Sequence, residues 1–247
     1  MNIIFKKFNS AYSRIKNGFQ VALFPEKFYL YNKYKYLYHS LSYSLEGEDM
    51  IISRFFTKKA NGFYVDVGAH HPQRFSNTYR FYLQGWRGIN IDPMPGSMDL
   101  FNQLRPRDIN LEIAISEQRE ILTYYKLNDS ALNGFCDKLS KEREKFLGCE
   151  ILASLKMPTQ TLTEVLDKYL PPNQDIDFLS VDVEGLDLQV LKSNNWQRYR
   201  PLVVLAEDLN RFSLQRINES KVVSFMNQQD YQLYAKSVNT LIFTEIN

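Results

Sequence analysis

Gly62-Phe-Tyr-Val-Asp-Val-Gly-Ala69 is an apolar run that stops at an acidic residue and a glycine. Such a run reads as a buried parallel strand ending at a ligand, with the missing Cβ of Gly68 letting that ligand approach the backbone. Outward from it, a second acidic strand end follows, Ile89-Asn-Ile-Asp92. The spacing is the one at which nucleotide-binding folds hold the two hydroxyls of a ribose. Asp66 and Asp92 together point to a ligand with a ribose. The plainer alternative is that both acids cap helices, which suits two clean apolar strands in one register less well.

The turn between the two strands narrows the choice. A dinucleotide site wants Gly-x-Gly-x-x-Gly, so that a pyrophosphate can sit on a helix N-terminus. Asp66-Val-Gly-Ala-His-His-Pro-Gln-Arg-Phe-Ser76 has one glycine, a proline and two imidazoles, and no Gly-x-x-x-x-Gly-Lys-Ser/Thr cradle occurs in the chain. A nucleoside that carries an amino acid instead of phosphates fits better. For S-adenosylmethionine, Asp66 suits the ammonium and Asp92 the ribose.

Four segments then resemble the FkbM family of S-adenosylmethionine-dependent methyltransferases: Gly62 to Pro72, Phe75-Ser-Asn-Thr78, Gly85-Trp-Arg-Gly-Ile-Asn-Ile-Asp-Pro93, and Asp177-Phe-Leu-Ser-Val-Asp-Val-Glu-Gly185. The resemblance spans roughly residues 43 to 245. Ser44-Leu-Glu-Gly-Glu-Asp49 is similar to an upstream element of one branch, with Leu45 where glutamine is usual. The resemblance implies a class I methyltransferase fold, a Rossmann-like doubly wound α/β sheet with a terminal antiparallel β-hairpin. It also implies S-adenosyl-L-methionine as cofactor and transfer to an oxygen, often of a sugar. Carried onto this sequence, the cofactor contacts are Glu48, Asp66, Gly68, Asn77, Asp92, Ser116 and Asp182. Ser116 stands near adenine by strand position and resemblance.

The chain has 247 residues with 44% hydrophobic residues, enough for one α/β domain with an appendage. Cys136 and Cys149 lack Cys-x-x-Cys spacing, which argues against a thiolate metal site and for a reducing compartment. No signal-peptide pattern and no long apolar run appears. The expectation is a cytoplasmic protein, peripheral to a membrane at most.

The net charge of +2 hides an asymmetry: up to His39, seven Lys or Arg face Glu26 alone. Phe5, Phe8, Tyr12, Ile15 and Phe19 recur at three- and four-residue steps, which draws one apolar stripe along a helix. Residues 1–42 thus read as a basic, aromatic helical arm. It would contact a membrane surface, form a homodimer, or pack on its own chain. Nucleic acid is not expected as a partner, because no nucleic-acid-binding fold accompanies the basic residues.

Residues 43–247 read as the methyltransferase domain. Strands are expected at 62–67, 88–92, 111–115, 176–183 and 201–207, with helices between them. A closing hairpin is expected at 231–236 and 240–245. Residues 117–158 break this rhythm and read as an insertion, the usual source of an acceptor site beside a cofactor pocket.

Ligands of an open α/β sheet bind outside the carboxyl ends of the strands. Asp182-Val-Glu-Gly-Leu-Asp187 is the densest acidic cluster there. If the strand continues, Ser180, Asp182 and Glu184 share a face. Asp182 and Glu184, with His70 and His71 in the first turn, are the candidate catalytic residues, since an alcohol acceptor must lose a proton. A divalent cation held by the acidic cluster with help from Glu207 or Asp208 is the less favoured alternative, and no metal site is assigned. The expected function is an O-methyltransferase acting on a hydroxyl of a sugar in a glycan or glycoconjugate, its acceptor a small molecule or glycan. The alternatives are a nicotinamide-dependent oxidoreductase with an atypical turn and a non-catalytic nucleoside-binding module.

Overall fold

The computed structural model describes residues 40–210 and 212–246. The basic arm expected over residues 1–42, with its membrane or dimer contact, lies almost wholly outside the described residues. Ser42–Asn247 forms a compact unit by itself, and no helix among the described residues is long and apolar enough to cross a membrane.

One sheet carries the fold. Its strands are β1 (Phe63–Val67), β2 (Arg87–Ile91), β3 (Ile109–Leu111), β7 (Phe178–Val181), β8 (Val203–Glu207), β9 (Tyr231–Lys236) and β10 (Thr240–Glu245). Their order is β3-β2-β1-β7-β8-β10-β9. β1 lies parallel between β2 and β7, with Val65 opposite Ile89 and Leu179. β8 continues the parallel set, and β10 runs antiparallel between β8 and β9. Every residue of β1 and β8 is buried, as expected of parallel strands covered on both faces. The doubly wound sheet and its terminal hairpin agree with the sequence reading.

Alternation sorts the strand side chains into two layers. Val65, Val67, Ile89, Ile91, Leu179, Val181, Val204 and Ala206 pack in one core. Tyr64, Phe178, Val203 and Leu205 pack in the other, with Phe56, Phe81 and Trp86. The first three helices among the described residues are short: α1 (Glu48–Ile52), α2 (Tyr79–Leu83) and α3 (Ser97–Leu104). Helix α4 (Asp137–Leu147) precedes α5 (Leu162–Tyr169), which opens with a capping box. Thr161 accepts from Glu164 N, and the Glu164 side chain accepts from Thr161 N. Each of those bonds satisfies an N–H that the first turn leaves without a partner.

Two expectations are corrected here. The third strand is Ile109–Leu111, while Ala114–Ile115 (β4) leaves the main sheet and pairs with Ile151–Gln160 (β6). β6 also pairs antiparallel with β5 (Ile121–Leu127), so much of the 117–158 stretch is an ordered hairpin, with α4 between its strands. The fourth parallel strand stops at Val181, so Asp182 and Glu184 stand in the loop beyond it. Glu184 has φ +56°, which ends the alternation that would have aligned it with Asp182.

Candidate active site

A cleft of about 740 Å³ opens at the carboxyl ends of the strands. Its floor comes from the turn after β1 (Val67, Gly68, His70) and from Asp92 and Asp182, each just beyond its strand. Gly68 has φ +86°, and a Cβ there would stand 1.7 Å from the carbonyl oxygen of Asp182. The glycine is required because two strand ends meet, which is a different reason from the approach of a ligand. Its backbone still lines the cleft.

Asp92 lines the cleft together with the apolar Ile113, Ile115 and Pro93 and with Tyr124. Its Oδ2 accepts from His70 N at 3.0 Å and its Oδ1 from Met94 N at 2.9 Å. Burial raises the carboxyl above its ordinary range, against those two N–H donors. Burial, with Asp92 nearby, raises the Tyr124 hydroxyl too, so it stays protonated. Glu48 accepts from Thr240 Oγ1 and from Glu46 N, and Asn77 donates to Ser180 Oγ at 3.1 Å. Both line the cleft.

Three expected site residues stand elsewhere. Asp66 does not line the cleft: it is buried on the aromatic face of β1, accepts from Thr78 Oγ1 at 2.9 Å, and lies near Arg105. Ser116 is buried and donates to Glu120, away from the cleft lining that its neighbour Ile115 joins. His71 accepts at Nδ1 from Gln73 N and Arg74 N. A neutral ring in that arrangement carries its proton on Nε2, a donor rather than a base. His70 does line the cleft, and burial, with Arg74 and His71, lowers its pKa.

Part of the cleft lining is acidic. Asp182, Glu184 and Glu207 each place one carboxylate oxygen within 4.8 Å of the others. Asp182 is exposed to the cleft yet set deep in its floor, since a concave surface is both wetted and surrounded by protein. That depth, then Glu184 and Asp187, pushes its carboxyl well above the usual range. Burial and the charges of Asp182, Glu184 and Asp187 push Glu207 up to about 11. Asp187 accepts from Val183 N and Gly185 N, and burial brings it to about 7.

The insertion forms the facing wall. Arg143, on α4, pairs with Glu184 and also donates to the carbonyl oxygen of Leu132 at 2.8 Å. Gly134 comes so close to Glu184 that an added Cβ would lie 3.0 Å from its Cβ. Arg143 does not stand out in the sequence, because its surroundings, Lys138 to Lys145, read as a solvated charged run. Nor does Arg105: its Arg-Pro-Arg-Asp context resembles a surface turn, yet it is fully buried. It binds Asp108 at 2.8 Å, Tyr64 Oη at 2.8 Å and Thr78 Oγ1 at 2.9 Å.

The cleft is thus lined by apolar side chains around Asp92 and by the carboxylates of Asp182, Glu184 and Glu207. Comparison with known proteins adds the family. A family model described as the methyltransferase FkbM domain matches residues 66–233. No curated protein matches the sequence. Among solved structures, a TehB-like SAM-dependent methyltransferase from Corynebacterium glutamicum is similar at 11% identity and a TM-score of 0.38. The match covers 87% of this chain and 94% of that one, and at that score it carries no argument about the site. The family match spans more than half of the 247 residues, so the chain belongs to the FkbM methyltransferase domain family and is an S-adenosylmethionine-dependent methyltransferase.

Proposed function

We propose that this methyltransferase acts on a hydroxyl group, of a sugar in a glycan or glycoconjugate. The observation that carries the proposal is the carboxylate-lined part of the cleft, where Asp182 is open to the cleft beside Glu184 and Glu207. Clustered carboxylate oxygens are acceptors for the neighbouring hydroxyls that sugars present in number.

The residues fit the cofactor. The Asp92 oxygens have lone pairs left for ribose hydroxyls after accepting one N–H each. Ile113, Ile115 and Tyr124 give an apolar lining for adenine. Glu48 and Asn77, rather than Asp66, stand where the amino-acid end would be held. When bound, S-adenosylmethionine supplies an electrophilic methyl that an oxygen displaces in line.

The chain's own contribution is to orient the acceptor and receive its proton. A carboxylate oxygen of Asp182 takes the hydroxyl proton. Arg143 holds Glu184 in place, and the insertion wall from Asp129 to Phe135 limits water and sets acceptor shape. Incubation with S-adenosylmethionine and a panel of free, nucleotide-linked and lipid-linked sugars tests this, with S-adenosylhomocysteine release as the signal. NMR then locates the methyl. A methyl on a sugar oxygen is the expected result, and turnover confined to nitrogen or carbon acceptors overturns the proposal.

A further inference from the structure

Among the described residues of the site, the acidic part of the cleft is where carboxylates outnumber their partners. Asp92 accepts two backbone N–H groups, Glu48 accepts Thr240 Oγ1 and Glu46 N, and Asp187 accepts the N–H groups of Val183 and Gly185. Asp182, Glu184 and Glu207 differ. Among the described residues, these three carboxylates meet one guanidinium, Arg143 on Glu184. Two carboxyl groups are left without a cationic partner at one point.

A second observation concerns Glu207 alone. Its side chain is at the end of β8, only 8% exposed, and lines the cleft. Its Oε2 is fully buried and has no hydrogen-bond partner. Buried polar atoms are almost always satisfied, and charged ones more strictly so. The unpartnered oxygen belongs to a group aimed at Asp182 and Glu184, with one oxygen of each residue within 4.8 Å of the others.

The local fold builds this convergence. β7 and β8 are parallel with Val181 opposite Ala206, so Asp182 and Glu207 are next in register beyond them. Glu184 is brought back toward them by its left-handed backbone, φ +56°. For a non-glycine residue that conformation is costly and is kept where surrounding contacts impose it. Here the Arg143 pair and the close approach of Gly134 do so.

An oxygen-only set of this span suits a hard cation. Opposite ligands lie roughly 4.2 Å apart around Mg²⁺ and about 4.8 Å apart around Ca²⁺. Thiolate and imidazole ligands, which would favour zinc or copper, are missing from the cluster. We propose that Asp182, Glu184 and Glu207 bind one hard divalent cation, of the Mg²⁺, Mn²⁺ or Ca²⁺ type, in the acidic part of the cleft. Three carboxylates giving one oxygen each leave coordination positions open, and two neighbouring acceptor oxygens would fill two of them, with water in the rest. Each carboxylate need give only one oxygen, so Asp182 keeps its second for the acceptor proton. The cation site stands on the cluster alone, and its use for acceptor oxygens rests on the hydroxyl-transfer reading above.

The probe is Mn²⁺, titrated into full-length protein stripped with chelator and followed by the loss of the free-ion electron paramagnetic resonance signal. One Mn²⁺ per chain is expected, displaced by Mg²⁺ or Ca²⁺. Glu207→Gln and Asp182→Asn should each weaken Mn²⁺ binding tenfold or more. Both are close in shape to the native residues. A cooperative urea transition and an unchanged near-ultraviolet circular dichroism spectrum show that both variants are folded. Mn²⁺ that stays free in the presence of wild-type protein, or binds both variants as tightly as wild type, overturns the site. The readout needs no acceptor. Mn²⁺ binding with products methylated only on nitrogen or carbon would sink the hydroxyl reading and leave the cation site. O-methylated product without Mn²⁺ binding would do the reverse.

Discussion

Both oxygens of Asp92 already accept a backbone N–H, and each has a further lone pair to offer a ribose hydroxyl. Asp92→Ala should therefore weaken S-adenosylhomocysteine binding by roughly 2–4 kcal/mol. Calorimetry showing unchanged affinity would remove Asp92 from the ribose. Gly68 makes a different prediction. With φ +86° and a Cβ position 1.7 Å from the Asp182 carbonyl oxygen, Gly68→Ala must strain the turn or push the ends of β1 and β7 away from each other. It should cost about 3 kcal/mol or more, read as a lower urea midpoint. A variant with the wild-type midpoint would show that the turn can yield. At this scale the sequence was half legible. Asp92 ends its strand at the cleft, as its position suggests. Asp66 sits one residue before the end of a strand buried on both faces, and an apolar run on both sides gives no sign of which face a polar side chain enters. That Asp66 turns to Thr78 and Arg105 is a tertiary fact.

Between elements, Arg105 is the brace. Its guanidinium joins Asp108, Tyr64 on β1 and Thr78 just before α2, and Asp108 in turn accepts from Gly88 N and Asn90 on β2. Arg105 and Asp108 are both fully buried. Breaking a buried pair strands the remaining charge, so Arg105→Met should destabilise by about 3–5 kcal/mol. Chemical denaturation measures it, and a loss near that of a surface substitution would show that water reaches Asp108. Strands β1, β2, β8 and the closing hairpin were legible because burial and turn residues repeat there in sequence. β6 was not, since Lys156, Met157 and Pro158 interrupt its β-rich composition and its burial merely alternates between partial and exposed over most of its length. Its partner strand β5 supplies the order that its own residues do not announce.

The molecule as a whole should respond to one ligand class. At a hundredfold excess over its Kd, S-adenosylhomocysteine should add about 2.7 kcal/mol, a rise in melting temperature of roughly 5–10 °C for a domain of this size. NAD and ATP should leave the melt in place, because the turn after β1 lacks the glycines that a pyrophosphate needs. An equal rise with NAD would return the oxidoreductase reading. The architecture was legible because strand ends, helix caps and hairpin pointed to the same sheet. The cleft's far wall was less so, since Arg143 gains its meaning only when α4 meets the loop after β7. One further consequence follows from the way the sheet closes. Glu46 accepts from Ser237 Oγ and Asn239 N, Glu48 accepts from Thr240 Oγ1, and β10 is wedged between β8 and β9. On the ribosome, Ser237, Asn239 and Thr240 emerge after every parallel strand has been made. Until residue 240 has left the exit tunnel, Glu48 lacks the hydroxyl that holds it at the cleft, so a nascent chain should bind the methyl donor more weakly than the finished one.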